Sequence, residues 1–375
     1  MNNPKRRICL SIVLLIFLLF WGLALSRALF LTQEYRGVSV RIQGADVSRE
    51  SLERAYGEST ESAPRYISAW SRSADKITLT NENIGTSVAV SKISVYGSMM
   101  DVFPMKVLSG ALPVSIDESG CVIDDETALH LFRNIDVVGA RIPYGEKSYL
   151  VRGVITSLEP VILIREADAL YDNLELHYED IESGGVYAKD FIYRYGWAQE
   201  YVIVENGFLA SVAAGLGFLP AWIAMIGTFG ALIWEAKKHR YIPLQLGVLF
   251  VLAAILPVLL DRLFGLAFYW PDRFLPTRWS DFQFWPRLSD ELHSYFNSLL
   301  FLVPTSKDIQ WFSAVRALLL STGIASVAVV WLLVLLFKEL GRQHNAGLMD
   351  SKQLTPSKPT GVTECREPTT IYVVY

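Results

Sequence analysis

The chain predicts a membrane protein of four transmembrane helices with an α+β extracytoplasmic domain inserted between helices 1 and 2. Three observations carry that fold class. One apolar span near the N-terminus is separated from three more by the polar stretch 32–206. Basic groups, Lys5 to Arg7, Lys237 with Lys238 and Arg240, and Lys338 with Arg342, recur at the span ends that this order puts on one side of the membrane. Composition is mixed: 51% of the 375 residues are hydrophobic and the mean hydropathy is +0.29, too apolar for an ordinary enzyme and too polar for a bare helix bundle.

The first span, 8–31, follows Lys5, Arg6 and Arg7, and its uninterrupted part 8–25 approaches the roughly 20 residues that cross hydrocarbon. It exceeds the apolar core of a signal peptide, about 7 to 15 residues, and Arg27 with Phe30 makes a poor cleavage site. An uncleaved anchor is therefore expected, with a cleaved signal as the alternative and residues 1–7 cytoplasmic. Spans are expected at 207–234, 242–260 and 314–337. The loop 235–241 holds Lys237, Lys238 and Arg240, and Lys338 and Arg342 follow the last span, so both flanks belong in the cytoplasm. Residues 32–206 and 261–313 then lie outside. The end, 338–375, rich in Ser, Thr, Pro and Lys from Gly347 onward, is expected to be a disordered cytoplasmic tail.

Small residues recur four apart in the second span, Ala213 with Gly217 and Gly227 with Ala231. That spacing lets helix backbones approach and marks a candidate packing face; the plain alternative is that glycine is common in membrane helices. Asp261, Arg262 and Arg316 sit near span ends, so a charge relay at the membrane midplane has no support.

Within the outer domain, 38–42, 65–71, 76–80, 86–97, 140–144 and 148–155 read as strands by alternation or β-branched content. Ser48 is placed to cap a helix through 51–57, and Asp124 to cap Asp125 to Phe132, with Asp125 and Glu126 in its first turn. Gly110, Gly139 and Gly145 supply turns, Leu129 and Phe132 an apolar helix face, and Tyr149, Val151 and Val154 half-buried strand faces.

Residues 92–155 run in an ordered series: a strand, D-V-F-P-M-K-V-L-S-G, a hydrophobic strand, an acidic-capped helix ending in L-F, D-V-V-G, and a hairpin closing on Y-L-V-R-G-V-I. This series resembles the extracytoplasmic core domain of the FtsX/MacB family of ABC-transporter permeases, whose members also carry one span before the domain and three after it. The resemblance implies mechanical coupling across the membrane, driven by a separate cytoplasmic ATPase. It fails at the loop between spans 2 and 3, which in such permeases usually carries an E-I-G-x-x-x-A-x-G-like helix; here 235–241 is short and lacks it. Nor can the chain hold the phosphates itself, because no Gly-Lys dipeptide occurs, and Gly145 to Ser148 reads as a hairpin turn.

The outer loop 261–313 is dense in aromatics from Phe268 to Phe312, including Trp279, Trp285, Tyr295 and Trp311. It reads as an interfacial belt, or alternatively as a lipid-facing or partner-binding cap under the outer domain. Chemistry-bearing clusters are weak. No H-E-x-x-H or G-x-S-x-G occurs among five histidines. His177 lies near Glu175, Glu179 and Asp180, a weak cation site more readily read as a solvated acidic turn. Cys9, Cys121 and Cys365 fall in three compartments, and dispersed basic residues with a net charge of −4 exclude a nucleic-acid surface.

The expectation is therefore a non-enzymatic permease-like subunit in a bacterial plasma membrane, both termini cytoplasmic, with no catalytic residue, cofactor or metal. Its expected partners are a separate ABC ATPase meeting Lys237, Lys238 and Arg240, membrane lipid, and a homo- or hetero-dimeric permease partner. The alternative is an ATPase-independent sensor or scaffold retaining the outer domain.

Overall fold

The computed structural model describes residues 4–353 apart from 36, 44–46, 58–62, 181–182, 198–199, 239–246, 249, 253, 256–257, 260–261, 263–271, 277 and 279. Helix α1 (Pro4–Glu34) leads into β1 (Val38–Gln43), β2 (Val47–Ser48), α2 (Arg49–Tyr56), β3 (Tyr66–Arg72), β4 (Ile77–Asn81), β5 (Thr86–Tyr96), a 3-10 turn (Met99–Asp101) and β6 (Val107–Gly110). Then come β7 (Gly120–Asp124), α3 (Asp125–Phe132), β8 (Arg141–Tyr144), β9 (Lys147–Ile155), β10 (Val161–Ile164), β11 (Leu170–Tyr171), β12 (Asn173–His177), α4 (Gly184–Tyr195) and β13 (Glu200–Glu205). Helices α5 (Asn206–Lys238), α6 (Phe284–Leu300) and α7 (Ser306–Gln353) follow, with a 3-10 turn (Asp272–Phe274) before α6.

The main sheet runs β13-β1-β12-β3-β5-β10-β7-β9-β6, with β4 added on β5 and β8 on β9. Alternation gives it two faces. On one, Val38, Val40 and Ile42 of β1 and Leu174 and Leu176 of β12 pack with Leu52 of α2 and Phe191 of α4. Farther along the sheet, Ile123, Val151 and Val154 pack with Ala128 and Leu131 of α3. On the opposite face, Trp70, Ile93, Val95, Phe103 and Leu163 form a separate core.

Local chemistry sets the helix starts. The Ser48 hydroxyl accepts the Ser51 N–H at 3.3 Å, and the Asp124 carboxylate accepts the Thr127 N–H at 3.0 Å and the Val161 N–H at 2.8 Å, which ties α3 to β10. Gly110 has φ +74°, and a Cβ there would meet the Arg152 carbonyl oxygen at 2.1 Å, so only glycine fits that turn. Two details differ from the sequence reading. Leu129 is exposed, because Ala128, Leu131 and Phe132, spaced three and four apart, form the inward face. Tyr149, Val151 and Val154 are fully buried rather than half-buried, since β9 is flanked by β7 and β6 and lies under α3.

Among the described residues three helices are long and apolar enough to cross a membrane, Ile8–Glu34, Asn206–Trp234 and Ser306–Lys338. The span expected at 242–260 lies largely outside the described residues, as does Arg240; the described positions between 247 and 259 are helical. The last helix begins at Ser306 rather than 314, because Thr305 and Asp308 form a reciprocal cap: the Thr305 N–H donates to Asp308 Oδ2 at 2.9 Å and the Asp308 N–H to Thr305 Oγ1 at 3.4 Å. It continues to Gln353, into the stretch expected to be a disordered tail.

Helices α1, α5 and α7 pack together around Ala24, Ala28, Ala213, Ala214 and Leu318. The Trp21 indole N–H donates to the Gly217 carbonyl at 3.1 Å, and a Cβ on Gly217 would sit 3.2 Å from the Ala28 Cβ. Ala231 is buried, and a Cβ on Gly227 would meet the Leu333 Cδ1 at 2.3 Å. Gly217→Leu is expected to cost about 1 to 3 kcal/mol in reversible detergent unfolding, because the Ala28 backbone must give way. Gly227→Ala is expected to cost less, because a rotatable leucine end can move. Equal costs would contradict this packing.

Candidate functional site

The period-2 pattern of β1, V-S-V-R-I-Q, turns Ser39 and Arg41 to the face opposite Val38, Val40 and Ile42. In β12, N-L-E-L-H, the same rule turns Asn173, Glu175 and His177 to that face. Register aligns them: Glu175 stands across from Ser39 of β1 and from Ser68 of β3, and Asn173 from Arg41 and Trp70. A polar row therefore crosses three adjacent strands, β1, β12 and β3. The first turn of α7 sits on it.

Glu175 is the hub, 1% exposed. Its Oε1 lies 2.9 Å from Arg41 Nη1 and accepts the Trp70 indole N–H at 3.4 Å. Its Oε2 lies 2.8 Å from Lys307 Nζ and accepts the Ser39 hydroxyl. Lys307 also donates to the Asp101 carbonyl at 3.1 Å, and Asp308 Oδ1 lies 3.7 Å from Arg41 Nη2. Two cations and two carboxylates thus form a neutral buried group joining sheet to helix.

All three packed helices meet this group. From the end of α1, the Tyr35 hydroxyl donates to the Lys307 carbonyl at 3.0 Å. From the start of α5, the Asn206 amide donates to Ser39 Oγ at 2.8 Å. Two flanking contacts reinforce the joint. Ser306 donates to Glu159, which also holds Arg72 at 2.7 Å. At the end of β13, Glu205 pairs with Arg273 at 2.8 Å, and its backbone N–H donates to the Tyr295 hydroxyl of α6 at 3.0 Å.

Burial by itself raises the Glu175 carboxyl, but the charges of Lys307 and Arg41, with hydrogen bonds from Lys307 and Ser39, outweigh it and hold the group down at about 2. Arg41 is likewise held above its ordinary value: burial lowers it, and Glu175 and Asp308 more than compensate.

Glu175 and His177 were expected in a solvated acidic turn; instead they lie on β12, and His177 Nε2 sits 3.3 Å from Asp101 Oδ1 with its ring stacked on Tyr66. Lys307 and Asp308 read as ordinary charges of the outer loop 261–313, yet both are buried. Two signals could have located the cluster: the charge alternating with valines in V-S-V-R-I, and the T-x-x-D cap that moves the helix start ahead of 314. Lys237 and Lys238 close α5, away from this cluster in sequence, and Ala213, Gly217, Gly227 and Ala231 lie along α5. Within 261–313, α6 packs Leu292, Tyr295 and Leu299 toward Val204, Phe208 and Leu209, while Trp285, Phe296 and Leu300 remain exposed.

No family model matches the chain, and no curated protein matches it. Among solved structures it is similar to the extracellular domain of the noncanonic ABC-type transporter YknZ from Gram-positive bacteria, at 15% identity and a TM-score of 0.37, covering 45% of this chain and 100% of that one. It is also similar to the periplasmic region of MacB from Actinobacillus actinomycetemcomitans, at 12% identity and a TM-score of 0.39, covering 47% of this chain and 92% of that one.

Because the folded Glu175 value lies below its ordinary 4.5, the stability it contributes is fully present above that value and is lost as pH falls toward about 2. Thermal unfolding in detergent is expected to show this acid loss, and Glu175→Gln to flatten it. The variant, which leaves Arg41 and Lys307 without their carboxylate, is expected to lose about 3 to 5 kcal/mol near neutral pH. An unchanged acid slope in the variant would contradict the assignment.

Proposed function

We propose that the chain is a permease-like subunit of the FtsX/MacB type, in which the outer domain moves with the membrane helices and transmits mechanical work rather than passing a substrate through a continuous channel. ATP hydrolysis is supplied by a separate chain that meets the cytoplasmic ends near Lys237, Lys238 and Arg240. The chain sits in a bacterial plasma membrane with both termini cytoplasmic, and a second permease chain, identical or not, completes the assembly.

The observation that carries this reading is the charge cluster between Arg41, Glu175, Lys307 and Asp308. A contact needed only for stability is served as well or better by apolar side chains, since burying ions costs several kcal/mol each. A neutral set of four charges instead favours particular registers of helix against sheet. Arg41 Nη2 and Nε make no hydrogen bond, and Asp308 Oδ1 waits 3.7 Å from Nη2. A small shift of α7 along the sheet closes that gap, which gives the joint a second setting.

The short segment 235–241, which lacks the E-I-G-x-x-x-A-x-G-like pattern, favours a second reading, an ATPase-independent sensor or scaffold using the same joint. A mild-detergent pull-down of the full chain separates the two. Recovery of a nucleotide-binding subunit, with ATPase activity lost when Lys237, Lys238 and Arg240 become alanine, is the expected result. Recovery of none, under conditions that hold a known permease and ATPase together, leaves the sensor. In the recovered complex, spin labels on the outer domain and on α7 are expected to change separation with nucleotide, and Lys307→Met to abolish that change while hydrolysis continues.

A further inference from the structure

A second polar feature lies apart from the joint, where α2 meets the sheet. A cavity of about 330 Å³ opens there, walled by α2, by the ends of β3 and β5, by Arg165 just after β10, and by Ser115 and Ile116 between β6 and β7. Arg49 of α2 reaches across to Glu118 at 2.7 Å and closes one side.

Arg165 is 6% exposed, and its Nη2 donates to the Gly97 carbonyl at 2.7 Å. Its Nε and Nη1 have no hydrogen-bond partner, and no carboxylate pairs with it among the described residues. The two acids lining the cavity are occupied elsewhere: Glu53 pairs with Arg49 at 2.9 Å, and Glu166 with Lys92 at 2.8 Å and with the Ser94 hydroxyl at 2.6 Å. A buried guanidinium without an anion is costly, and burial lowers the affinity of Arg165 for its proton. An anion entering the cavity removes that cost.

The geometry points to a binding site for a small monocarboxylate bearing an aromatic or apolar group, held by Arg165. A planar guanidinium matches a carboxylate in two parallel hydrogen bonds. The volume lies at the small end of ligand cavities, roughly 300 to 1,000 Å³, and admits a molecule of amino-acid size. The rings of Tyr96 and Tyr171 supply the apolar wall. Glu53 and Glu166 nearby disfavour a doubly charged phosphate. Such a ligand would bridge α2 and the loop carrying Ile116, whatever drives the helices.

Calorimetric titration of the full chain in detergent tests this with three probes: N-acetyl-phenylalanine, its uncharged amide, and inorganic phosphate. Saturable binding of the carboxylate is expected, with the amide and phosphate at least about tenfold weaker, as loss of a charge-assisted pair requires. Arg165→Met is expected to weaken the carboxylate by about tenfold or more without lowering the melting temperature, because it removes an unpaired buried cation. Ile116→Trp, at an exposed loop position that cannot disturb the core, is expected to block the cavity and give the same loss. Absence of saturable binding by any probe, or binding unchanged in both variants, overturns the site; tighter binding of phosphate than of the carboxylate overturns the ligand class.

Discussion

The contact between Glu175 and its two cations is the constraint on which the rest of this architecture depends. Arg41 arrives from the second strand of the sheet as ordered in space, Lys307 from the first turn of the last described helix, and Glu175 binds each with a different carboxylate oxygen. In a sheet that is otherwise paired strand to strand, this is where α7 is tied by charge to the strands. Tyr35 and Asn206 bring the other two helices to the same point, so the bundle presents one joint rather than three loose attachments.

The topology explains why the joint sits where it does. Helix α1 leads into β1 and β13 leads directly into α5, and β1 and β13 pair in register from Val38 opposite Glu205 to Gln43 opposite Glu200. Entry and exit are therefore locked side by side, with little slack between sheet and helices. The cores packed with α2, α3 and α4 occupy the opposite face, which leaves the polar row of β1, β12 and β3 free to receive α7. The buried charges are concentrated at the face of the sheet that α2, α3 and α4 do not cover.

Much of the outer domain was legible in the sequence because it obeys local rules. The caps at Ser48 and Asp124, the turn glycines and six strand segments follow from residue type and spacing, and the first two apolar spans from length and hydropathy. The joint was not legible. Hydropathy treats Lys307 as a reason to begin the last span later, whereas its charge is compensated by a glutamate 132 positions away in the chain. Glu175 likewise reads as surface because its neighbours Glu179 and Asp180 are acidic. Only strand pairing, a nonlocal property, shows that it faces inward. Leu129 was misplaced for the converse reason: which helical stripe faces the core depends on where the sheet lies.

Coupling between helix and sheet is tested most directly by a double-mutant cycle of Glu175→Gln and Lys307→Met, read as reversible unfolding of the full chain in detergent. The two losses are expected to fall short of additivity by on the order of 1 to 3 kcal/mol, the energy held between strand and helix. Losses that add within about 0.5 kcal/mol would contradict the account, because sheet and helix would then be neighbours without being joined.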